Sequence, residues 1–389
     1  MNGLLEYEER VLGTLTSINS EQSNIKGYEE CARFIIEEAE RMGQRAKLVY
    51  SQGEGPRPNV KVEVGGPKPA TMFAAHYDTV PAGPGWRTDP LTLTKVGDKL
   101  FGRGAADDKG AVAVLLGLLR SMGEMKIRNG LTFCFTADEE VGGALGLGDL
   151  VTRLNPMPDL AIIVDSESEV VSCGASGIIN GDIIIRGRQG HAGYPHLAKN
   201  PIYELPRVIR ALEGLARRRE RKRSSLPLPP GYPHRRVWGR FSPTIIRGGF
   251  TTNIIPPDVT ITFDMRLLPE EDVKEAIAEL NATVAAVNRG GAIGVELTSV
   301  RGGGNYLTNP DNALVKRFIG VAESYGCRKG CVGELGGNDG KYTYKMGIPT
   351  LGIGVIDYDS NIHAPDEFVR LSTMLRVKRI LRSFIEQGK

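Results

Sequence analysis

The run Thr71-Met72-Phe73-Ala74-Ala75-His76-Tyr77-Asp78 sets an imidazole and a carboxylate directly after five residues of almost no polarity. A strand buried in a sheet covered on both faces is apolar throughout and does not alternate. Thr71 to Ala75 has that character, and so do Leu131 to Thr136 and Leu160 to Val164. Among them, Lys109 to Met122 and Ala144 to Leu154 place apolar residues at helical spacing. Strands alternating with helices in this way predict an α/β fold with a mostly parallel central sheet. Outward from this centre, the spacing predicts helices over Leu4 to Ile18 and Gly27 to Met42. Short strands are predicted over Lys47 to Tyr50, over Val60 to Val64 and around Leu100, with a Gly/Pro-rich loop from Val80 to Pro90. The same α/β character returns late in the chain, as a helix over Ala313 to Tyr325, a strand over Pro349 to Gly354 and a helix over Ser372 to Gln387.

Between these parts the pattern changes. Strands over Asn180 to Arg186, Pro243 to Ile246, Val259 to Arg266 and Gly294 to Val300 are interleaved with helices over Pro201 to Arg223 and Glu270 to Asn288. That is the β-α-β-β-α-β order of a ferredoxin-like unit. It is read as a domain of residues 179–299 inserted into a first domain of residues 1–178 and 300–389. The basic run Arg217 to Arg223 reads as a solvated helix end, where cations complement the helix dipole. Leu226 to Pro233 reads as a Pro-rich loop.

Composition narrows the functional classes. The chain has 389 residues, with 49 Lys+Arg against 46 Asp+Glu, and a net charge of +3 does not suggest a nucleic-acid partner. The longest strongly apolar run, Ala111 to Leu119, is far short of the ~20 residues that span a membrane. Met1 to Arg10 lacks the basic-then-apolar pattern of a signal peptide. Five scattered cysteines (31, 134, 173, 327, 331) argue against a disulfide framework and fit a reducing, cytoplasmic setting. Cys327 and Cys331 have a metal-like spacing but no second pair, and read as structural thiols. Histidine is scarce, and only His76, His191, His196, His234 and His363 could serve imidazole chemistry.

In an open α/β sheet, ligands gather at the carboxyl ends of the strands. His76 and Asp78 follow Thr71 to Ala75, and residues two apart in an extended segment point the same way. Asp78 is therefore placed to accept one ring N–H of His76 while the other nitrogen binds a metal. Asp107 and Asp108 open the helix at Lys109, where one could cap it and the other reach a metal. Glu139 and Glu140 follow Leu131 to Thr136 and can divide the roles of ligand and base. Asp165 follows Leu160 to Val164, and His363 lies just beyond Pro349 to Gly354. Nitrogen and carboxylate donors suit Zn²⁺ and similar ions. A carboxylate shared by two ions would make a two-metal hydrolytic site.

Three stretches carry a family resemblance: His76-Tyr77-Asp78-Thr79-Val80-Pro81, Gly102-Arg103-Gly104-Ala105-Ala106-Asp107-Asp108-Lys109-Gly110 and Ala137-Asp138-Glu139-Glu140. In order and approximate spacing they resemble the metal-site motifs of the superfamily of succinyl-diaminopimelate desuccinylase, acetylornithine deacetylase, aminoacylase and glutamate carboxypeptidase. The resemblance runs from His76 to His363 and its motifs look closest to the desuccinylase/deacetylase branch. It implies a zinc-exopeptidase-like catalytic domain interrupted by a lid and dimerisation domain. It also implies two divalent ions per subunit, Zn²⁺ first, with Co²⁺ or Mn²⁺ as alternatives. On this resemblance Asp107 is the bridging ligand, His76 and Asp165 hold one ion, Glu140 and His363 hold the other, and Asp78 stands behind His76. Glu139 is the implied general base. Val164-Asp165-Ser166-Glu167 departs from the family's Gly-Glu-Pro, so Glu167 stays as the alternative to Asp165.

Gly190-His191-Ala192-Gly193-Tyr194-Pro195-His196 resembles the lid motif, which implies that His191 reaches the partner subunit's site and stabilises an oxyanion in a homodimer. Asn253 and Arg266 match substrate-binding positions, and the loop Gly336-Gly337-Asn338 is expected to touch substrate although it lacks the family's usual Thr or Ser. An Arg fork pairs well with a carboxylate, so the implied substrate is an N-acyl amino acid or short peptide with a free carboxylate. The implied reaction is amide hydrolysis by a metal-activated water, with carboxypeptidase or dipeptidase activity as the alternative. No nucleic acid or membrane partner is expected.

Overall fold

A computed structural model describes the chain apart from residues 1–4, 54, 56, 67, 68, 126, 230, 292 and 389. Leu4, the first residue of the expected first helix, and Met1 to Leu4 of the expected non-signal N-terminus lie outside the described residues. The described chain divides into two compact units, the first formed by Met1–Cys173, Thr308–Val332 and Asn338–Lys389, the second by Gly174–Leu307 and Gly333–Gly337.

In the first unit the all-apolar segments lie at the centre of the sheet. Pro69–His76 runs parallel to Gly130–Thr136 on one side and to Leu160–Ile163 on the other, and Thr350–Gly352 extends the parallel set beyond Leu160–Ile163. The flanks are antiparallel: Pro58–Val64 pairs with Gly130–Thr136, Ala46–Tyr50 pairs with Pro58–Val64, and Val171–Ala175 joins Thr350–Gly352. The sheet is therefore mixed, with the expected parallel order confined to its middle. Val171–Ala175 is buried along its length, but its small and polar residues gave no strand signal. Phe73 and Phe133 stack across the parallel pair at 5.3 Å. Side chains of this size contribute about 1.5–3 kcal/mol each on full burial.

The helix Lys109–Arg120 is buried from Lys109 to Leu119, as expected of a helix that is apolar on all sides. Its one cation at the start, Lys109, donates to the carbonyls of Leu15 (2.9 Å) and Ile18 (2.8 Å). These lie at the end of the helix Glu6–Ser17, where the helix dipole favours positive charge. Gly110 has no room for a side chain, since a Cβ there would lie 2.3 Å from the Ala105 carbonyl oxygen. No helix among the described residues is long and apolar enough to cross a membrane.

The second unit holds a four-stranded antiparallel sheet in the order Arg240–Gly248, Asp258–Arg266, Ile178–Arg186, Gly294–Gly303. Burial alternates along Ile178–Arg186 and Asp258–Arg266, so one face is covered. The helices Leu205–Arg221 and Val273–Arg289 cover it, packing Leu212, Leu215 and Leu280 against Ile183, Ile261 and Phe263. The order of elements is βαββαβ with the first strand beside the last.

The basic run is solvated at Arg217, Arg218, Arg221 and Arg223, as expected of a helix end, but not at Arg219. Arg219 is fully buried, binds Glu271 through both terminal nitrogens and donates to the Arg266 carbonyl at 2.9 Å. Lys222 joins Glu271 and Glu279, each at 2.9 Å. The reason is helical phase: Arg219 follows Leu212 and Leu215 at seven and four residues, on the face turned to the sheet. Arg223 then opens a strand, Arg223–Pro227, that pairs with Arg236–Trp238, so the Pro-rich stretch lies within a hairpin.

Candidate metal centre

The described candidate ligands all lie in the first unit, His76 and Asp165 at strand ends, Asp107 just before the helix Lys109–Arg120, Glu140 in the turn Glu139–Val141 and His363 in the loop before Phe368–Arg370. His76 closes Pro69–His76 and is 2% exposed. Its Nε2 lies 3.1 Å from Asp107 Oδ1 and 3.9 Å from Asp165 Oδ2. His363 Nε2 lies 3.1 Å from Asp107 Oδ2 and 3.1 Å from Glu140 Oε2. Asp107 thus gives one oxygen to each imidazole. Two groups result, His76 with Asp107 and Asp165, and Asp107 with Glu140 and His363, each with its ligand atoms within 4.8 Å of one another. Glu167, the alternative to Asp165, enters neither group. The donor set of imidazole nitrogen and carboxylate oxygen fits two divalent ions sharing Asp107.

The electrostatics show how this set stands without cations. Burial opposes charge on His76, but Asp107 and Asp78 outweigh it and raise the imidazole well above its usual pKa. Hydrogen bonds to Asp107 and Glu140 push His363 up to about 10. Burial would raise Asp107, yet the hydrogen bonds from His363 and His76 hold it below the ordinary carboxylate range.

Asp78 does more than stand behind His76. The ring Nδ1 lies 3.1 Å from the Asp78 carbonyl oxygen and 3.3 Å from Oδ1. The same carboxylate accepts the Glu139 N–H on Oδ1 at 3.2 Å and the Glu140 N–H on Oδ2 at 3.1 Å. One buried side chain thus orients an imidazole and the turn that bears both glutamates. The turn Glu139–Val141 starts from Asp138, whose φ of 88° is left-handed, an uncommon state that Asp tolerates better than most residues. Asp138 is held there by Arg57 Nε and the Leu145 N–H, both at 3.0 Å. His363 is also left-handed, with φ 60°. Such strain costs of order 1–3 kcal/mol per residue and persists only where the surroundings impose it.

Asp108 does not cap its helix. It is fully buried and accepts the His76 backbone N–H at 3.2 Å, which ties the strand end to the helix start. Glu139 lines a small cavity with His76, Asp165 and Asp339. Burial, followed by the charge of Asp339, pushes Glu139 well above its usual pKa. Asp339 itself is raised to about 6 by burial. Asp339, inside the glycine loop, and Glu367, which accepts the Asp107 N–H at 3.1 Å, are acids with no motif of their own in the sequence.

The other expected residues divide between the units. Asn338 is in the first unit, buried, with Oδ1 accepting the Gly340 N–H at 2.9 Å. Gly336, Gly337, His191, Asn253 and Arg266 are in the second. There Gly190–His191 pairs with Ile254–Ile255, and the Ala192 N–H donates to the Asn253 carbonyl at 2.9 Å, which brings His191 and Asn253 side by side. His191 Nδ1 accepts the Gly193 N–H at 3.0 Å. In the neutral ring the proton is then on Nε2. Arg266 Nε donates to Asp264 at 2.8 Å.

Comparison with known proteins shows the family. Residues 72–387 match the model of peptidase family M20/M25/M40. Succinyl-diaminopimelate desuccinylase 2 of Alteromonas mediterranea is 27% identical over 332 residues, covering 82% of this chain and 83% of that protein. Succinyl-diaminopimelate desuccinylase of Gluconobacter oxydans is 28% identical over 354 residues, covering 87% of each. Among solved structures, a metallo-carboxypeptidase from Sulfolobus solfataricus superposes with a TM-score of 0.75 at 18% identity, covering 98% of this chain and 99% of its own.

Proposed function

The chain belongs to peptidase family M20/M25/M40, and on that premise we propose that it is a metal-dependent amidohydrolase acting on N-acyl amino acids. The observation that carries the proposal is Asp107, which faces His76 with one oxygen and His363 with the other. His76, Asp107 and Asp165 would hold one ion, and Asp107, Glu140 and His363 the second, with Zn²⁺ the first choice and Co²⁺ or Mn²⁺ the alternatives. When bound, the ions would polarise the amide carbonyl and lower the pKa of the attacking water.

Glu139 is the base. Water attacks the carbonyl carbon, Glu139 takes its proton, and the same proton goes to the amine nitrogen as the C–N bond breaks. A carboxylate whose proton affinity is raised by burial and by Asp339 suits that transfer. Asp78 keeps His76 and the glutamate turn in register. His191, with Nε2–H as its donor, would stabilise the oxyanion, and its neighbour Asn253 supports substrate binding at the same place. Arg266 would take the substrate carboxylate, and Gly336, Gly337 and Asn338 would contact the acyl group.

Residues 179–299 serve in this reading as the lid and dimerisation domain. Ile245 (41% exposed), Ile246 (54%) and Phe250 (69%), on and just beyond the outer strand Arg240–Gly248, support pairing with a second copy along that edge. The five free thiols support a cytoplasmic location. The names of the two curated relatives make N-succinyl amino acids the first substrates to try.

The test is hydrolysis of N-succinyl and N-acetyl amino acids, dipeptides and C-terminal peptide substrates, after chelation and after adding Zn²⁺, Co²⁺ or Mn²⁺. Turnover of N-acyl amino acids that needs added metal is expected. Turnover of peptides alone would replace the deacylase reading with an exopeptidase one, and turnover unaffected by chelation would overturn both.

A further inference from the structure

We propose that Arg103 and Glu367 are positioning residues for the metal centre, a buried pair that sets Asp107 against the segments bearing His76 and His363. The inference rests on the reading of that site as a metal centre, but concerns residues outside both ligand groups. Arg103 is 3% exposed and Glu367 is fully buried.

Glu367 grips the loop that presents Asp107. Its Oε1 accepts the N–H of Ala106 at 2.9 Å and of Asp107 itself at 3.1 Å. Its Oε2 accepts the Gly104 N–H at 3.2 Å and binds Arg103 Nη1. The main chain around it is fixed as well: the Gly102 N–H donates to the Glu367 carbonyl at 3.0 Å, and Phe368–Arg370 pairs with Lys99–Phe101.

Arg103 ties in the other segments. Its Nη2 faces the carbonyls of Ala82 at 3.2 Å, Pro81 at 3.4 Å and Ala364 at 3.4 Å. Pro81 and Ala82 lie just beyond Asp78, and Ala364 directly follows His363. One ion pair, itself closing over 264 positions, therefore joins three loops, each supplying a candidate ligand or its support. Replacing both members of a buried ion pair by well-packed apolar residues is often neutral for stability. What hydrocarbon could not replace here is the set of directed bonds to the Asp107 loop.

The experiment uses two variants of the whole chain, E367Q and R103M/E367L, stripped with chelator and titrated with Co²⁺. Thermal unfolding of the metal-free protein is measured in parallel. Gln at 367 turns its amide toward donors it should accept from, so Co²⁺ affinity is expected to fall about tenfold to hundredfold at both sites, because Asp107 serves both. The visible spectrum of bound Co²⁺ should change as well. R103M/E367L removes both buried charges but leaves the Gly104, Ala106 and Asp107 N–H groups without their acceptor, so its unfolding temperature and its Co²⁺ affinity are both expected to fall.

Wild-type affinity in E367Q, or affinity that recovers along with stability in the double variant, would overturn the proposal. If the double variant fails to fold, the titration and spectrum of E367Q decide alone. Wild-type protein that binds no Co²⁺ would instead sink the metal-centre reading.

Discussion

Replacing Asp78 with Asn tests whether this buried acid acts on one metal group or on both. Each of its oxygens has a donor to satisfy: Oδ1 takes the Glu139 N–H and faces His76 Nδ1, and Oδ2 takes the Glu140 N–H. An Asn amide has one acceptor, so one of these positions must receive an NH₂ that faces another donor. The better rotamer keeps the oxygen at the Oδ1 position, where two donors converge, and orphans the Glu140 N–H. An unsatisfied buried N–H costs ~1–3 kcal/mol. If the turn relaxes in the metal-free protein, binding must restore it, and that cost corresponds to ~5- to ~150-fold in affinity. The group holding Glu140 and His363 should weaken more than the group holding His76 and Asp165. Co²⁺ titration of D78N in an Asp165→Ala background reads the first group, and in a His363→Ala background reads the second. Equal affinity to the parent in both backgrounds would refute the reasoning. Weakening confined to the His76 group would show that Asp78 works through the imidazole alone.

Two other outcomes are expected. Glu139→Gln should retain both ions by Co²⁺ titration and lose about 10²- to 10⁴-fold in kcat on whichever substrate the screen identifies; near-normal turnover would remove Glu139 from the role of base. His363, raised to about 10, and His76, raised well above its usual value, are protonated at pH 7 in the metal-free protein, so coordination must release their protons and affinity should climb as pH rises from 7 toward 10. The linked stability has the opposite sign: the contribution of these rings to the metal-free fold is complete below their unfolded value of ~6.5 and disappears as pH rises through the folded one. Calorimetry in buffers of different ionisation heat would detect the protons, and pH-independent affinity would contradict the charge states.

What was legible in the sequence was local. The central strands announced themselves because burial on both faces removes every charged residue from Phe73 to Ala75 and from Phe133 to Phe135. The candidate ligands His76 and Asp165 were legible because an α/β sheet puts functional groups where strands end. The flanking antiparallel strands were harder, since Val171–Ala175 has neither β-branched density nor alternation. Arg219 was misread because a basic run at a helix end usually faces water; its phase with Leu212 and Leu215 was present in the sequence but was outweighed by composition. The Asp108 to His76 bond closes over 32 positions and the Asp107 to Glu367 bond over 260, so their meaning exists only once the sheet is assembled.

These long-range bonds share a chemistry that bears on how the centre can stay organised while its ions come and go. Asp78, Asp108, Asp138 and Glu367 each accept backbone N–H groups: those of Glu139 and Glu140, of His76, of Leu145, and of Gly104, Ala106 and Asp107. A backbone N–H neither titrates nor binds metal, so these bonds hold whether the imidazoles carry protons or coordinate cations. The candidate ligands, in contrast, are held to one another mainly by contacts that coordination would replace, such as His363 to Asp107 and Glu140. Supporting acids on main-chain donors and ligand acids on exchangeable partners divide the carboxylates into a frame and a cargo-binding set. Backbone N–H dipoles face the frame acids, and Arg57 at Asp138 and Arg103 at Glu367 add positive charge, yet burial still raises Asp108, Asp138 and Glu367 above the ordinary carboxylate range.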